Sequence, residues 1–411
     1  MQRIRMSLPY FSENGWNAEV VMVNEIYNDL SKDQLLLKNI PDHIVIHKVK
    51  ALSKKITSKF GLGSLGLRSI YFYREYVNKL LNIKCYDLIY FSTTEFSVTI
   101  LGNYWKKKFN IPYVIDMQDP WHSTYYQDKP MSARPPKYWF SYRLNKYLEP
   151  IAMKNVNGLI SVSQGYLETL VNRYPNLEYV PKEVITFGAY REDSLLVKQQ
   201  SVKFKIGFDY NPTFKHFVYL GRGGVDMKDA VMILFKAFKT GLEKNFSIFD
   251  KARFHFIGTS YAPSGEGVKT IEPLADILGI GKYVEERTDR ISLYDGLFTL
   301  GQADALVIVG SNDADYTASK IYPYIMAQKP IIAIFHSQSS ANKILETCTN
   351  VQVNPLLNNE ETQEKVIKCI LDILLDRVTI KINSEKFANY SAEAMTCKQV
   401  ELFNEVIKNH Y

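Results

Sequence analysis

The chain has 411 residues, of which 46% are hydrophobic and 23% are charged, and its formal net charge is +7. Two domains are expected at this length, and the composition indicates a globular rather than a disordered chain. Four scattered cysteines without a Cys-x-x-Cys pair predict neither a disulfide framework nor a zinc site. Because the sequence also contains no apolar run of about 18 residues, we expect a cytoplasmic protein.

The first half alternates between helical and strand patterns. Its periodicity predicts a helix over residues 2–11, strands over 19–23 and 43–47, a helix over 70–81, a strand over 86–92, a helix over 96–109, a strand over 113–116, a helix over 137–154, a strand over 158–162 and a helix over 163–173. Domains built from alternating parallel strands and helices normally open with a buried strand and a glycine-rich turn. Neither stands before the first helix, so we expect that the true start lies upstream of Met1. The alternative is a sheet that lacks this strand.

The second half restarts the same alternation. Residues 191–212 are polar and are interpreted as a linker. The pattern then predicts strands over 216–220, 253–257, 305–309 and 331–335, helices over 229–239, 270–278 and 293–301, and a helical tail from Ser384 onward. Two such halves predict an α/β protein with two Rossmann-like domains that face each other across a cleft. We assign residues 1–190 and 191–383 to these domains and residues 384–411 to closing helices.

The loop after the predicted strand 305–309 is the most informative feature of the chain. Residues 302–335 read QADALVIVGSNDADYTASKIYPYIMAQKPIIAIF, which predicts strand, loop, helix and strand. Ligands bind at the carboxyl edge of such sheets, and a helix N-terminus there offers N–H groups to an anion such as a diphosphate. The polar residues of this loop are Ser311, Asn312, Asp313, Asp315, Tyr316, Thr317 and Ser319. The alternative is that they only cap the helix and form its turn.

The positive charge is unevenly distributed. Residues 1–190 carry 24 Lys and Arg against 16 Asp and Glu, and between Lys48 and Lys84 nine basic residues stand against one acid, Glu75. This mixed basic and apolar segment favours contact with an anionic membrane surface or an anionic acceptor. A solvated helix face is the alternative. We expect no nucleic-acid partner, because no nucleic-acid-binding motif accompanies the charge.

Six segments spread along the chain resemble those of a known family. They are RIRMSLPYFSENGWNAEVVMV, IPYVIDMQDPW, GLISVSQGYLETL, FVYLGRGG, RFHFIGTSYA and ASKIYPYIMAQKPIIAIF. In their order and spacing they resemble GT-B-fold glycosyltransferases of the retaining, family-4-type group. The resemblance implies an N-terminal acceptor domain, a C-terminal nucleotide-sugar domain and final helices that cross back to pack on the N-terminal domain.

The resemblance also implies where the donor binds. Arg222 and Lys228 correspond to cations that hold the diphosphate, although Lys228 lies one residue further along than usual. Asp315 corresponds to the first of two family glutamates and is expected to contact the donor sugar, whereas Pro323 stands where the second would hold the ribose. The other expected donor-binding residues are Gly221, Gly223, Gly224, Ser311, Tyr316, Thr317, Ala318, Ser319 and Lys320, with Tyr316, Thr317 and Ala318 acting through their backbone amides.

On the acceptor side, the resemblance centres on IPYVIDMQDPW. Gln118 stands where the family commonly has a histidine, and Asp119 matches the aspartate that follows. Because glutamine cannot act as a base, proton transfer is expected to involve Asp116, Asp119, His122 or the departing phosphate. The expected acceptor-binding residues are Thr93, Thr94, Asp116, Gln118 and His122, and the expected catalytic residues are Asp119, Asp315 and Arg222. Turn formation is the alternative role for these loop residues.

These observations predict a glycosyltransferase that moves a sugar from a nucleotide-diphosphate donor to a glycan or lipid-linked acceptor. The resemblance implies retention, and surface polysaccharide or glycoconjugate synthesis at the inner face of the membrane suits the basic first half. No cofactor or metal is expected, because protein cations and helix dipoles can stabilise the departing diphosphate. The alternatives are a degenerate GT-B protein that binds a nucleotide or a partner without catalysis, and a sugar-nucleotide epimerase of the same fold.

Overall fold

The structure, a computed structural model, describes residues 2–27, 34–124, 126–127, 131, 134, 137–312, 320–349 and 351–411. The chain divides into two compact units. The first comprises Met1–Phe187 and Ala392–Tyr411, and the second comprises Gly188–Ser391. Each unit has its own hydrophobic core. Among the described residues, no helix is both long enough and apolar enough to cross a membrane.

Helices and strands alternate along the described chain. Up to the end of the first sheet they are α1 (Gln2–Phe11), β1 (Glu19–Val23), β2 (Val45–Val49), α2 (Lys54–Thr57), α3 (Leu65–Ile83), β3 (Ile89–Ser92), α4 (Ile100–Phe109), β4 (Tyr113–Met117), α5 (Tyr138–Met153), β5 (Gly158–Ser161), α6 (Gln164–Arg173) and β6 (Lys182–Val184). They continue with α7 (Arg191–Gln199), β7 (Lys215–Leu220), α8 (Lys228–Lys244), α9 (Phe246–Phe249), β8 (Ala252–Ile257), α10 (Glu272–Ile277), β9 (Val284–Arg287), α11 (Leu293–Gln302), β10 (Ala305–Val309), α12 (Ile321–Met326), β11 (Ile331–Phe335), α13 (Ala341–Leu345), β12 (Cys348–Thr349), β13 (Val351–Pro355), α14 (Glu360–Leu374), β14 (Lys381–Ile382), α15 (Ser384–Ala388) and α16 (Ala392–His410).

The first unit is built on parallel strands. β3, β4, β5 and β6 form one sheet in that order, and β1 pairs in parallel with β2 in a separate sheet. The helix α16 returns to this unit and contacts α1, β5 and β6. Its approach to β5 requires a residue without a side chain, because a Cβ at Gly158 would lie 2.7 Å from a methyl carbon of Val406.

The second unit is built on a six-stranded sheet in the order β13-β11-β10-β7-β8-β9, and every neighbouring pair in it is parallel. The helices α8 and α14 contribute buried side chains to the core on one face of this sheet. Phe217 and Tyr219 of β7 face that core together with Phe254 and Phe256 of β8, as the two-residue period of a strand requires. Because all strands run the same way, β7 and β10 end at the same edge.

Most predicted elements of the chain are confirmed. β1, β10 and β11 have the predicted bounds, and residues 2–11 form the predicted helix. The strand expected at 43–47 lies two residues later, at β2. The interpretation of residues 191–212 as a linker is wrong, because residues 191–199 form α7 and bury Leu196 and Val197. β6, β9, β13 and α14 were not predicted at all.

The division between the units differs slightly from the predicted boundaries. The crossing segments lie together in the second unit, where the backbone N–H of Ala189 donates to the carbonyl of Tyr390 at 2.7 Å. Consequently α15 belongs to the second unit, and the return to the first begins at Ala392 rather than at Ser384. The described residues contain no strand before β1, and a start upstream of Met1 stays a prediction.

Candidate functional site

The glycine-rich segment after β7 continues the strand pairing past the end of the sheet. The backbone N–H of Gly221 donates to the carbonyl of Ile257 at 3.0 Å, and that of Gly223 donates to the carbonyl of Thr259 at 2.8 Å. Gly221 and Gly224 have φ angles of 147° and 149°, a region that favours glycine. A Cβ at Gly221 would also lie 2.8 Å from Nζ of Lys320. Glycine therefore allows both this backbone path and the approach of Lys320.

Arg222 is held in this segment by a two-pronged ion pair. Its guanidinium donates to both carboxylate oxygens of Asp226, at 2.9 and 2.7 Å. Although burial opposes ionisation of Asp226, hydrogen bonds from Arg222 and Ser311 keep its pKa below the usual value. The backbone N–H of Asn312 donates to the carbonyl of Asp226 at 3.0 Å. The hydrogen bonds that Asp226 accepts from Ser311 and Asn312 therefore join the end of β10 to the segment after β7.

Lys320 lies just before α12 and points its ammonium group at the same cluster. Nζ donates a hydrogen bond to the hydroxyl of Tyr219 and lies 4.0 Å from the centroid of its ring. The Tyr219 hydroxyl in turn donates to the carbonyl of Arg222 at 2.7 Å. Burial, together with the nearby Arg222 guanidinium, lowers the pKa of Lys320 to about 7. Two cationic groups thus lie near the Asp226 carboxylate, and of the two it is Arg222 that contacts it. An anion with several oxygens would relieve the repulsion between the two cationic groups.

The ionisation of Lys320 predicts how binding of a nucleotide-diphosphate sugar depends on pH. Free Lys320, with its pKa of about 7, loses its charge above that pH, whereas a bound diphosphate raises its pKa. Binding therefore takes up a proton between these two pKa values, and affinity is expected to fall by up to about tenfold per pH unit there. Calorimetry in buffers of different ionisation enthalpy measures this uptake.

The control for this prediction is Lys320→Met, which removes the titrating group and keeps a long side chain. We expect weaker binding that no longer changes with pH between about 6 and 9. If the affinity of Lys320→Met still changed with pH as in the unaltered protein, Lys320 would not be the group that takes up the proton. The diphosphate of a nucleotide sugar is esterified at both ends, so the ligand has no ionisation of its own in this range.

The structure brings together several of the predicted donor-binding residues. Gly221, Arg222, Gly223, Gly224, Ser311 and Lys320 all lie at the carboxyl ends of β7 and β10. Lys228 is the exposed first residue of α8, and Pro323 lies within the short helix α12. The predictions for Asp315, Tyr316, Thr317, Ala318 and Ser319 fall outside the described residues, as does Asp313.

Three residues in or beside this cluster were missed by sequence reasoning. Asp226 follows Arg222 by four residues, a spacing that signals an ion pair, and this signal was available in the sequence. Tyr219 looked like an ordinary core residue because it alternates with Phe217 along β7. Tyr324 was likewise not predicted, although its hydroxyl accepts the backbone N–H of Leu220 at 2.6 Å. This bond ties α12 to the end of β7.

In the first unit, the carboxylate of Asp116 is the centre of a polar network. Asp116 is fully buried near the end of β4, and Nε of Arg3 lies 2.8 Å from its Oδ2. The Arg3 guanidinium also donates to the carbonyls of Ile185 and Thr186, at 2.6 and 2.9 Å. This ion pair connects α1 to the sheet.

Neutral donors complete this network at the ends of β3 and β4. The Gln118 amide donates to Oδ2 of Asp116 at 2.6 Å and to the hydroxyl of Ser92 at 3.2 Å, and the hydroxyl of Tyr90 donates to Asp116 at 3.2 Å. Burial and the Asp116 charge raise the pKa of Tyr90. Asp116 and Gln118 are therefore close together as predicted, but their polar atoms already bind one another.

The remaining acceptor candidates lie in the loops that follow β3 and β4. The hydroxyl of Thr93 accepts the backbone N–H of Glu95 at 3.0 Å, and Thr94 is exposed. Asp119 is an exposed residue, yet nearby protein shields its carboxyl group from water, and this desolvation raises its pKa. Among the acceptor candidates, Asp119 therefore has a more exposed carboxylate than the fully buried Asp116.

His122 is buried, unlike a solvent-exposed base. Within the described residues neither of its ring nitrogens has a hydrogen-bond partner, and its ring lies 4.7 Å from that of Tyr142. Burial and the charge of Arg173 lower its pKa, which favours the neutral ring. Its role as an acceptor-binding residue stays a prediction.

Comparisons with known proteins agree with this architecture. The chain matches no protein-family model and no curated protein sequence, but solved structures do match. It is similar to HepE of Anabaena, crystallised with UDP and glucose, at 14% identity and a TM-score of 0.58 over 98% of this chain and 94% of that one.

Two further solved structures are similar over most of the chain. For the N-terminal domain of trehalose-6-phosphate phosphatase from Candida albicans, the identity is 12% and the TM-score 0.63, over 98% of this chain and 93% of that one. For the UDP-forming α,α-trehalose-phosphate synthase from Burkholderia xenovorans, these values are 10% and 0.53, over 83% and 78%. Such low identities establish the fold alone, and the chain has the two-domain GT-B fold.

Proposed function

We propose that the protein is a glycosyltransferase that uses a nucleotide-diphosphate sugar. The observation that carries this proposal is the cluster of Arg222, Lys320 and Asp226 at the carboxyl ends of β7 and β10. Ligands of parallel sheets bind at this edge. A diphosphate supplies the several oxygens that a guanidinium and an ammonium group can grip together.

UDP is the proposed nucleotide of the donor. HepE of Anabaena was crystallised with UDP and glucose, and the synthase from Burkholderia xenovorans is described as UDP-forming. Both are similar to this chain in fold. This likeness supports UDP as the nucleotide. It does not identify the sugar, and neither does the cluster, which would contact the diphosphate rather than the base or the sugar.

The experiment that tests this function is a binding panel followed by a turnover assay. Thermal-shift and calorimetric binding are measured with UDP-, GDP-, ADP- and CMP-sugars, and release of the free nucleotide is then followed. We expect stabilisation by a UDP-sugar and slow hydrolysis of it to free UDP without an acceptor. A well-folded protein that binds none of these sugars would overturn the proposal.

A second part of the proposal concerns the acceptor and the stereochemistry of transfer. We propose transfer with retention to a glycan or lipid-linked acceptor, in surface polysaccharide or glycoconjugate synthesis. Asp119 is the proposed proton acceptor, because its raised pKa moves it toward the range in which a carboxylate works as a base. The proton spectrum of the product sugar reports the anomeric configuration, and inversion would contradict this part.

We also propose that transfer requires no metal ion. Arg222 and Lys320 together supply the positive charge that the departing diphosphate needs. Incubation with excess EDTA followed by dialysis is therefore expected to leave kcat within about twofold of the untreated value. A loss of activity that added Mg²⁺ or Mn²⁺ restores would contradict this.

One observation favours a second candidate, a GT-B protein that binds nucleotide without catalysis. Asp226 already occupies both arms of the Arg222 guanidinium, and Pro323 and Gln118 replace side chains that the resembling family uses. Under this alternative, donor binding is observed but neither hydrolysis nor transfer follows. Release of UDP above the rate without enzyme excludes it.

A further inference from the structure

Two neighbouring segments of the first unit expose large apolar side chains to water. In residues 50–64, Ile56 is 63% exposed and Phe60 is 72% exposed, and Leu52 and Leu62 are exposed as well. On the outer face of α5, Trp139 and Phe140 are 47% and 45% exposed. Soluble proteins rarely expose a cluster of large apolar side chains unless that cluster binds a partner molecule or a membrane.

Direct contacts show that these segments form one surface. Nζ of Lys137 donates to the carbonyl of Ser58 at 3.1 Å. The ring of Phe140 packs against Gly61 so closely that a Cβ there would lie 2.7 Å from it. We call the surface formed by residues 50–64 and 137–147 the basic apolar surface.

The charge of this surface has one sign. Residues 50–64 and 137–147 contain seven Lys and Arg and no Asp or Glu. The basic residues are Lys50, Lys54, Lys55, Lys59, Lys137, Arg143 and Lys146. Like charges oppose pairing with a second copy of the same surface. The exposed aliphatic side chains match hydrocarbon, which phosphate backbones of nucleic acids do not offer.

We propose that the basic apolar surface docks on an anionic lipid bilayer. Ile56, Phe60 and Leu62 would enter the boundary between headgroups and acyl chains, where Trp139 and Tyr147 are also favoured. The lysines would remain at the level of the lipid phosphates, since long basic side chains extend from an apolar stem to a polar surface. The structure thereby adds α5 to a membrane contact that the sequence indicated only for residues 48–84.

The basic apolar surface is connected to the loops expected to bind the acceptor, which fits an acceptor linked to a lipid. This link to the acceptor rests on the proposed function. The backbone N–H of Gly66, at the start of α3, donates to Oε2 of Glu95 in the loop after β3, at 2.8 Å. Nε1 of Trp121, in the loop after β4, donates to Asn145 of α5 at 3.1 Å. The loops that carry Thr93, Thr94 and Asp119 are therefore anchored to the elements that would touch the bilayer.

The test is co-sedimentation of the full chain with vesicles. One set contains phosphatidylcholine alone, and the other contains phosphatidylcholine mixed with phosphatidylglycerol. We expect binding to the mixed vesicles, weakened by salt. Because each lysine near an anionic surface contributes roughly fivefold, the triple variant Lys54→Gln, Lys55→Gln, Lys59→Gln should bind on the order of a hundredfold more weakly.

Two further variants separate charge from apolar contact. The double variant Ile56→Ser, Phe60→Ser keeps every charge and is expected to lose at least about tenfold in vesicle affinity. The matched controls lie in the second unit and should bind as the unaltered protein does. They are the exposed lysines in Lys198→Gln, Lys205→Gln, Lys251→Gln and the exposed apolar residues in Val268→Ser, Ile277→Ser.

Several results would overturn the proposal. One is vesicle binding that the control variants weaken as much as the surface variants do. Another is a dimer, measured by light scattering, that the change Ile56→Ser, Phe60→Ser abolishes, since the surface would then join two copies. A third is lysine-dependent binding to duplex DNA with none to vesicles. If a multiple variant misfolds, the single exchange Lys59→Glu gives the same test.

The vesicle assay needs no sugar donor, so its outcome is separate from that of the proposed function. Protein that sediments with anionic vesicles but binds no nucleotide sugar would retain the docking surface and lose the transferase assignment. Protein that transfers sugar yet ignores anionic vesicles would retain the function and lose the docking surface.

Discussion

Replacing Arg222 by alanine is expected to lower kcat/KM for the UDP-sugar by roughly 10²–10³-fold. Arg222 is the residue of the cluster whose guanidinium can bind two diphosphate oxygens at once. It lies in a glycine-rich segment whose backbone is fixed by hydrogen bonds to Ile257 and Thr259, so its backbone position at the end of β7 is well defined. Initial rates of UDP release at several donor concentrations measure the loss.

The controls for this prediction separate charge from geometry. Arg222→Lys keeps the charge without the two-pronged contact and should recover only part of the activity, because lysine offers a point charge. Arg377→Ala removes an exposed arginine of the same unit and should leave kcat/KM within about twofold. Full activity in Arg222→Ala would exclude the cluster as the diphosphate site.

Replacing Arg3 by methionine is expected to lower the free energy of unfolding of the first unit by about 3–5 kcal/mol. Arg3 and Asp116 are both fully buried, and their charged groups lie 2.8 Å apart. Without Arg3, the Asp116 carboxylate would be buried with only neutral donors around it. All four tryptophans of the chain lie in residues 16–139, so their fluorescence during urea unfolding reports on this unit.

Two comparisons test the cause of this loss. Arg74→Met breaks an exposed ion pair with Glu75 and should change stability by no more than about 0.5 kcal/mol. Adding Asp116→Asn to Arg3→Met removes the buried charge and should recover part of the loss. An unchanged urea midpoint in Arg3→Met would show that the buried pair does not stabilise the unit.

The fold was predictable where the chain carries a strong local signal. β10 and β11 have their predicted bounds because each is a run of five apolar residues ended by a turn or a loop, as at Gly310. α7 was missed because only a narrow stripe, including Leu196 and Val197, is buried, and its outer face reads like a linker. β9 was missed because its sequence, VEER, places charges in a strand.

The candidate site was likewise predictable only where its residues are neighbours in the sequence. The position of Arg222 could be inferred from the family resemblance, because the flanking glycines and the apolar strand before them are features of one short segment. The acceptor network was only partly predictable, since Asp116 and Gln118 are two residues apart but Arg3 reaches them from the far end of the unit. Nothing local to Arg3 distinguishes it from Arg5 in the same helix.

The order of strands and helices, the glycine turns and the basic segment are properties of neighbouring residues, and the amino-acid sequence alone specifies them through periodicity and backbone preference. The pairing of Lys320 with Tyr219, of Arg3 with Asp116 and of Phe140 with Gly61 joins residues far apart in the chain. These pairs exist because parallel strand order brings distant loops to one edge, and because burial makes a charge stable only beside its partner. Long-range packing therefore selects which of the many polar side chains form the site.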